Sequence, residues 1–154
     1  MRAFFDYEFP LTKLYIEADG EFITRISFFE IFGNKKETPV IKRAKKQLDE
    51  YFSGKRTTFD LPLKLEGTEF QKSVWKELIK IPYGKTASYY DIASAVQNPK
   101  ACRAVGMANN KNKIPIIIPC HRIIGKSGAL TGYAGGLEVK KKLLELEAGQ
   151  SAKA

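Results

Sequence analysis

A chain of 154 residues, 44% hydrophobic and 28% charged, can fill one mid-sized domain or two small ones sharing a core. No apolar run approaches the roughly 18 residues that span a bilayer, no basic-then-apolar leader opens the chain, and two cysteines make no disulfide framework. A soluble protein of a reducing cytoplasm is expected. The net charge of +9 is lopsided: residues 1–67 carry 12 Lys and Arg against 11 Asp and Glu, residues 68–154 carry 14 against 6. A polyanion partner for the second part alone is one reading; a merely soluble basic surface is the other.

Apolar and polar residues alternate in Ala3–Tyr7, Leu14–Glu17 and Phe22–Ile26, and Ala18-Asp19-Gly20-Glu21 reads as a hairpin turn between the last two. A small antiparallel sheet is expected. Thr38 to Phe52 shows helical spacing, with Ile41, Ala44, Leu48, Tyr51 and Phe52 on one stripe, lysines opposite and Gly54 closing it. Residues 55–67, with Lys55-Arg56, Pro62 and Gly67, read as a linker. The pattern divides the chain into an α/β domain at 1–54 and a second domain at 68–154.

The second part opens on Thr68-Glu69-Phe70-Gln71, a capping box, before a helix that should bury Phe70, Val74, Trp75, Leu78 and Ile79 and end at Pro82-Tyr83-Gly84. Ser88-Tyr89-Tyr90-Asp91 is another capping box, starting a helix with Ile92, Ala93 and Val96 inside. Gln97-Asn98-Pro99 breaks the chain, and helix resumes from Lys100 to about Asn109. Two short helices about a tight turn, with Arg103 on the second, form a helix-turn-helix candidate, although ordinary cores use the same pattern. Gly125-Lys126-Ser127-Gly128 reads as a turn. The glycines of Thr131-Gly132-Tyr133-Ala134-Gly135-Gly136 suit either close approach to a flat ligand or a plain flexible loop. Leu137 to Glu147 forms a last helix with Val139, Leu143 and Leu146 buried.

Between these helices lies Ile114 to Ile124, reading IPIIIPCHRII. Consecutive aliphatics between turn formers predict a buried strand. A thiol and an imidazole directly after it would sit inside the protein and need partners. His121 is the only histidine, so any group of near-neutral pKa that activates Cys120 is this one. A zinc site would need carboxylates as well, and no ligand spacing suggests one. Neither metal nor cofactor is expected.

Pro119-Cys120-His121-Arg122 after Ile116-Ile117-Ile118 resembles the active-site signature of the O6-alkylguanine-DNA alkyltransferases. Three further stretches match in order and spacing: Phe70 to Trp75, Asn98-Pro99-Lys100 through Arg103-Ala104-Val105-Gly106, and Gly132 to Leu137. The resemblance covers roughly residues 68–149. It implies an α+β protein: a small N-terminal antiparallel sheet plus helix with a ribonuclease-H-like layout, then a mostly helical C-terminal domain with a helix-turn-helix and the active-site Cys strand. It further implies single-turnover transfer of an alkyl group from O6 of guanine in DNA to Cys120, with O4 of thymine left open as a second substrate atom.

In that family His121 would act as base through a water, Glu147 would orient the imidazole, and Asn112 would hold the turn before the cysteine. Tyr133 would donate to the guanine, and the backbone at Cys120 and Ile123 would accept from its amino group. Ala134 and Gly135 would line the same pocket. The partner is double-stranded DNA carrying O6-alkylguanine, bound by a monomer through the minor groove with the nucleotide flipped out. Arg103 would fill the vacated space and Tyr89 would turn the phosphate. Small residues Cys102, Ala104 and Gly106 fit a helix in that groove. Composition alone does not choose Glu147 over Glu145 or Glu138.

Several positions depart from the family pattern. Ala134 stands where many members have Ser, Lys113 where a proline is common, and Cys102 where Ala is usual. Met107, Asn109 and Asn110 make the end of the second short helix less small and less basic. Two other classes stay open: a non-catalytic alkylguanine-binding repair protein, which the presence of Cys120 argues against, and a Cys-His hydrolase, which leaves the basic helix pair unexplained. A thioether has no good leaving group, so an alkylated Cys120 should be permanent.

Overall fold

Residues 1–125, 128 and 130–153 are described by a computed structural model, the last four by backbone alone. Of the expected Gly125–Gly128 turn, Lys126 and Ser127 lie outside the described residues; Gly128 N–H still closes onto the Gly125 carbonyl at 2.8 Å. The chain divides into two compact units, Met1–Glu66 and Gly67–Ala154.

In the first unit, β1 (Arg2–Glu8), β2 (Lys13–Asp19) and β3 (Phe22–Ser27) form an antiparallel sheet in the order β1-β2-β3. The β2–β3 turn is Gly20-Glu21, and Gly20 takes φ +60°, which a glycine tolerates without a Cβ clash. Alternation along β2 buries Leu14, Ile16 and Ala18. Helix α1 (Pro39–Phe52) covers that face with Val40, Ile41, Ala44, Leu48, Tyr51 and Phe52. Gly54 ends it in a left-handed residue at φ +77°, where Gly54 N–H meets the Tyr51 carbonyl and Lys55 N–H meets that of Glu50.

The stretch expected to be a linker is tied down instead. Ile23 N–H donates to the Pro62 carbonyl (2.8 Å) and Lys64 N–H to that of Ile23 (2.9 Å), a parallel bridge onto β3. Buried Gln47 pairs with the Asp60 backbone through both amide atoms, at 2.9 Å each. A side-chain amide facing a backbone unit in this way mimics one rung of a sheet.

The second unit holds α2 (Glu69–Ile79), α3 (Tyr89–Ala95), α4 (Cys102–Asn110) and α5 (Leu137–Lys153). Both capping boxes form: Thr68 with Gln71, Ser88 with Asp91. Helices α2, α3 and α4 pack on one another, and the Trp75 indole donates to the Ala108 carbonyl at 2.8 Å. The α3–α4 turn begins with Gln97 at φ +62°, whose N–H and that of Asn98 satisfy the Ser94 and Ala93 carbonyls. This is the arrangement Gly54 makes, built with a residue whose Cβ makes the conformation costly. Val74, Trp75 and Leu78 are buried as expected, but Ile79 is exposed, and Phe70, Val96, Val139 and Leu146 are only half-buried.

The expected Cys strand is not a strand. Residues 114–118 are buried throughout, yet Ile118 N–H closes back onto the Ile114 carbonyl at 2.9 Å and Ile116 has φ +74°. Pro115 and Pro119 lack the donors a ladder requires. Cys120–Arg122 then forms a single 3-10 turn. Aliphatic composition correctly implies burial; the prolines and the left-handed Ile116 decide the backbone.

Candidate active site

Four side chains meet at the 3-10 turn. Cys120 is 5% exposed, His121 0%, Arg122 6%, and α5 packs against the turn bringing Glu147 at 1%. His121 Nε2 lies 2.7 Å from Glu147 Oε2. Arg122 donates Nε to Glu147 Oε1 (2.8 Å) and Nη2 to Oε2 (3.1 Å), and its Nη1 reaches the Ile81 carbonyl at 2.6 Å. The Gly84 N–H adds a longer contact to Oε1, 3.4 Å. The Arg122 guanidinium lies 5.7 Å from the centre of the Tyr83 ring. A buried carboxylate is tolerable only when so fully paired.

These contacts fix the protonation states. Burial pushes the Glu147 carboxyl up, but hydrogen bonds and charge from His121 and Arg122 outweigh it and bring its pKa down to about 2. Burial lowers His121 below its ordinary value, Glu147 opposing and Arg122 and Lys140 adding. The imidazole is therefore neutral at pH 7. Beside an ionised Glu147 its proton sits on Nε2, and Nδ1, which has no hydrogen-bond partner among the described residues, carries the lone pair. Burial pushes the Cys120 thiol up to about 11, with Asn112 and Lys140 pulling it back in part.

The turn that presents Cys120 is held by Asn112. Its Nδ2 donates to the Ile118 carbonyl and its Oδ1 accepts from Ile114 N–H, both at 2.9 Å. Between those anchors Ile116 sits in the left-handed region, a conformation costing a β-branched residue about 1–3 kcal/mol. Past the turn, Ala87 N–H bonds the Arg122 carbonyl and Ile124 N–H bonds that of Ala87, so Ile123 is fixed and fully buried. The Cys120 carbonyl accepts from Ile123 N–H at 3.3 Å and keeps a second lone pair.

Tyr133 stands edge-on to His121, ring centres 6.5 Å apart, and burial raises its phenol well above the ordinary value. It remains a neutral donor. Ala134 is exposed and Gly135 half-buried in the turn that Gly136 N–H closes onto Tyr133. On α4, Arg103 and Ala104 are exposed while Cys102 and Gly106 are half-buried; Met107 adds to the open face. The Tyr89 ring packs over Gly106, and a Cβ there would meet it at 3.5 Å. Cys120, His121, Glu147, Asn112 and Tyr133 thus cluster, whereas Tyr89, Cys102, Arg103, Ala104 and Gly106 lie along the helix pair. Among the described residues no cluster of three metal-ligating side chains occurs.

Two buried charged residues of this unit escape a reading of the sequence. Arg122 is visible there only as part of a motif, and its fork onto Glu147 needs the 3-10 turn. Lys140 is fully buried in the first turn of α5. The signal is present in the spacing: Lys140, Leu143 and Glu147 fall at i, i+3 and i+7, one buried stripe. Apolar bias keeps Leu143 but takes Val139 and Leu146, each one residue before Lys140 and Glu147.

The chain is similar to known proteins in sequence and in fold. Residues 69–149 match the family model described as 6-O-methylguanine DNA methyltransferase, DNA binding domain, and residues 6–65 match the ribonuclease-like domain of the same enzymes. A Bacillus subtilis protein, methylated-DNA–protein-cysteine methyltransferase, constitutive, is 51% identical over 91% of this chain and 92% of its own. A Methanosarcina acetivorans methylated-DNA–protein-cysteine methyltransferase is 48% identical over 92% and 95%. The crystal structure of Mycobacterium tuberculosis OGT in complex with DNA superposes with a TM-score of 0.90 at 43% identity, covering 96% of this chain and 94% of that one. An α+β chain with a ribonuclease-like first unit and a helical, DNA-binding second unit is the class so defined. The chain belongs to the 6-O-methylguanine DNA methyltransferase family.

Proposed function

We infer that this protein repairs DNA by direct reversal, moving an alkyl group from O6 of guanine to Cys120 in a single turnover. The observation that carries this reading is the buried Cys120–His121–Glu147 set, in which a neutral imidazole has its Nδ1 lone pair available. The thiol proton passes through a water to Nδ1, because neighbouring residues of a tight turn point apart. Sulfur then attacks the alkyl carbon as the carbon–O6 bond breaks. Guanine leaves as its delocalised anion, supported by a hydrogen bond from the Tyr133 hydroxyl, and takes its proton from solvent. Glu147 stabilises the imidazolium that forms, and Arg122 keeps Glu147 in place.

The target atom lies inside a duplex, so the nucleotide is flipped out, at a cost of a few kcal/mol. In this reading α4 enters the minor groove, Cys102, Ala104 and Gly106 allow close approach, Arg103 occupies the vacated stack and Tyr89 turns the phosphate. The carbonyls of Cys120 and Ile123 accept from the guanine amino group, with Ala134 and Gly135 supplying backbone beside O6. The protein works as a monomer in a reducing compartment, where both cysteines stay free.

The test is intact mass after incubation with duplex DNA carrying O6-methylguanine. One methyl per chain, mapped to Cys120 and absent in Cys120→Ala and with unmodified DNA, is the expected result. Preferential binding of the modified duplex without added mass would move the assignment to a lesion-binding protein, and repeated turnover to a hydrolase.

A further inference from the structure

The reaction above leaves Thr131 and Lys140, two links of one hydrogen-bonded chain, unused. Tyr89 opens α3 and Lys140 lies in the first turn of α5, and both bond to Thr131. The Tyr89 and Thr131 hydroxyls share a hydrogen bond. Lys140 Nζ donates to the Thr131 carbonyl at 3.2 Å and lies 3.5 Å from its hydroxyl. Among the described residues this ammonium, though fully buried, bonds to Thr131 alone. A buried cation with a single neutral anchor has its position set by that anchor.

Its surroundings give that position a consequence. Helix α5 packs on the turn that carries Cys120, and Lys140 and the thiol act on each other's charge. Asn112, Lys140 and Tyr133 act on or feel the thiol, His121 and Arg122 share its turn, and Glu147 comes from α5 onto those two. Helix α2 also packs there and buries Val74, Trp75 and Leu78 but no titratable group. Arg122 is committed to Glu147. Lys140 is therefore the cation whose field can favour the thiolate.

We propose that Thr131 is a positioning residue that joins the nucleotide-turning Tyr89 to the ammonium of Lys140, on the helix that packs against the nucleophile's turn, so that lesion engagement and thiol activation share one anchor. This rests on the alkyl-transfer reading. The hydroxyl of Thr131 orients the phenol toward the bound strand, and its hydroxyl and carbonyl together hold Nζ. Removing the hydroxyl loosens both ends at once.

The experiment measures single-turnover methyl transfer from duplex DNA carrying O6-methylguanine, across pH, for the wild type, Thr131→Val, Thr131→Ser and Tyr89→Phe. Thr131→Val is expected to slow transfer about tenfold, the loss of one hydrogen bond to a charged or reacting partner, with DNA affinity within about twofold. Its rate should rise at higher pH than in the wild type, because the thiol has lost part of its cationic neighbour. Thr131→Ser should restore both rate and pH profile. Thr131→Val and Tyr89→Phe combined should cost less than the product of the two alone. A Thr131→Val protein with wild-type rate and pH profile overturns the proposal, as do multiplicative effects. Should Thr131→Val not fold, a pH profile of Tyr89→Phe displaced in the same direction supports the coupling and an undisplaced one overturns it. No transfer by the wild type would instead remove the underlying activity.

Discussion

The two units bury polar groups in opposite ways. In Met1–Glu66 the buried polar side chains are Thr24, Ser27 and Gln47, all uncharged and all hydrogen-bonded within the unit. Its charges stay at the surface in pairs such as Lys45–Asp49 and Arg2–Glu66, worth little individually. Among the described residues of Gly67–Ala154 the buried polar set is Asn109, His121, Arg122, Lys140 and Glu147. Four of these five can carry charge. One unit is closed by apolar contact and neutral hydrogen bonds; the other keeps a costly ionic cluster in its interior.

That contrast can be broken at its strongest point first. Glu147→Gln leaves Arg122 and His121 buried without their carboxylate, so stability should fall by about 3–5 kcal/mol and transfer should slow by at least about a hundredfold. Denaturant unfolding and single-turnover assay check both. Leu48→Ala in the first unit should cost about 2–5 kcal/mol by opening a cavity, while the folded fraction transfers at the wild-type rate. A matching loss of transfer rate would show that the first unit takes part in the chemistry.

The units should also part in acid. Glu147 has a folded pKa below its unfolded value, and so does His121. For each, the unfolded chain binds the proton more readily, so the stability they confer is present above the unfolded pKa and lost as pH falls. Loss begins near 6.5 with His121 and continues from about 4.5 toward 2 with Glu147. Amide hydrogen exchange at falling pH should show residues around Cys120 losing protection before the β1–β3 sheet does. The smallest effect is at Gln97, an exposed residue at φ +62°. Gln97→Gly should raise the melting midpoint, corresponding to about 0.5–1 kcal/mol.

Much of this was legible in the chain because the signals were local. The two capping boxes, the Gly20 turn, the α1 stripe and Gly54 each depend on residues within one or two turns, and each forms as read. The readings that failed depend on distant partners. Ile114–Ile118 reads as a strand because aliphatics predict burial without saying what backbone they bury. Lys140 goes unread because its anchor, Thr131, lies on a loop. The 55–67 stretch reads as a linker because the Gln47 clamp on Asp60 is invisible to periodicity. Ile79 reads as core by composition, yet α2 already fills its buried face with Val74, Trp75 and Leu78.

The burial of Cys120 has one more consequence, which concerns the time before any lesion is met. With 5% exposure and a thiol held near pKa 11, the sulfur stays protonated and out of reach of dissolved oxidants and electrophiles. A reagent that can be used once has to keep while it waits. The fold supplies that shelf life by hiding the atom it will eventually sacrifice.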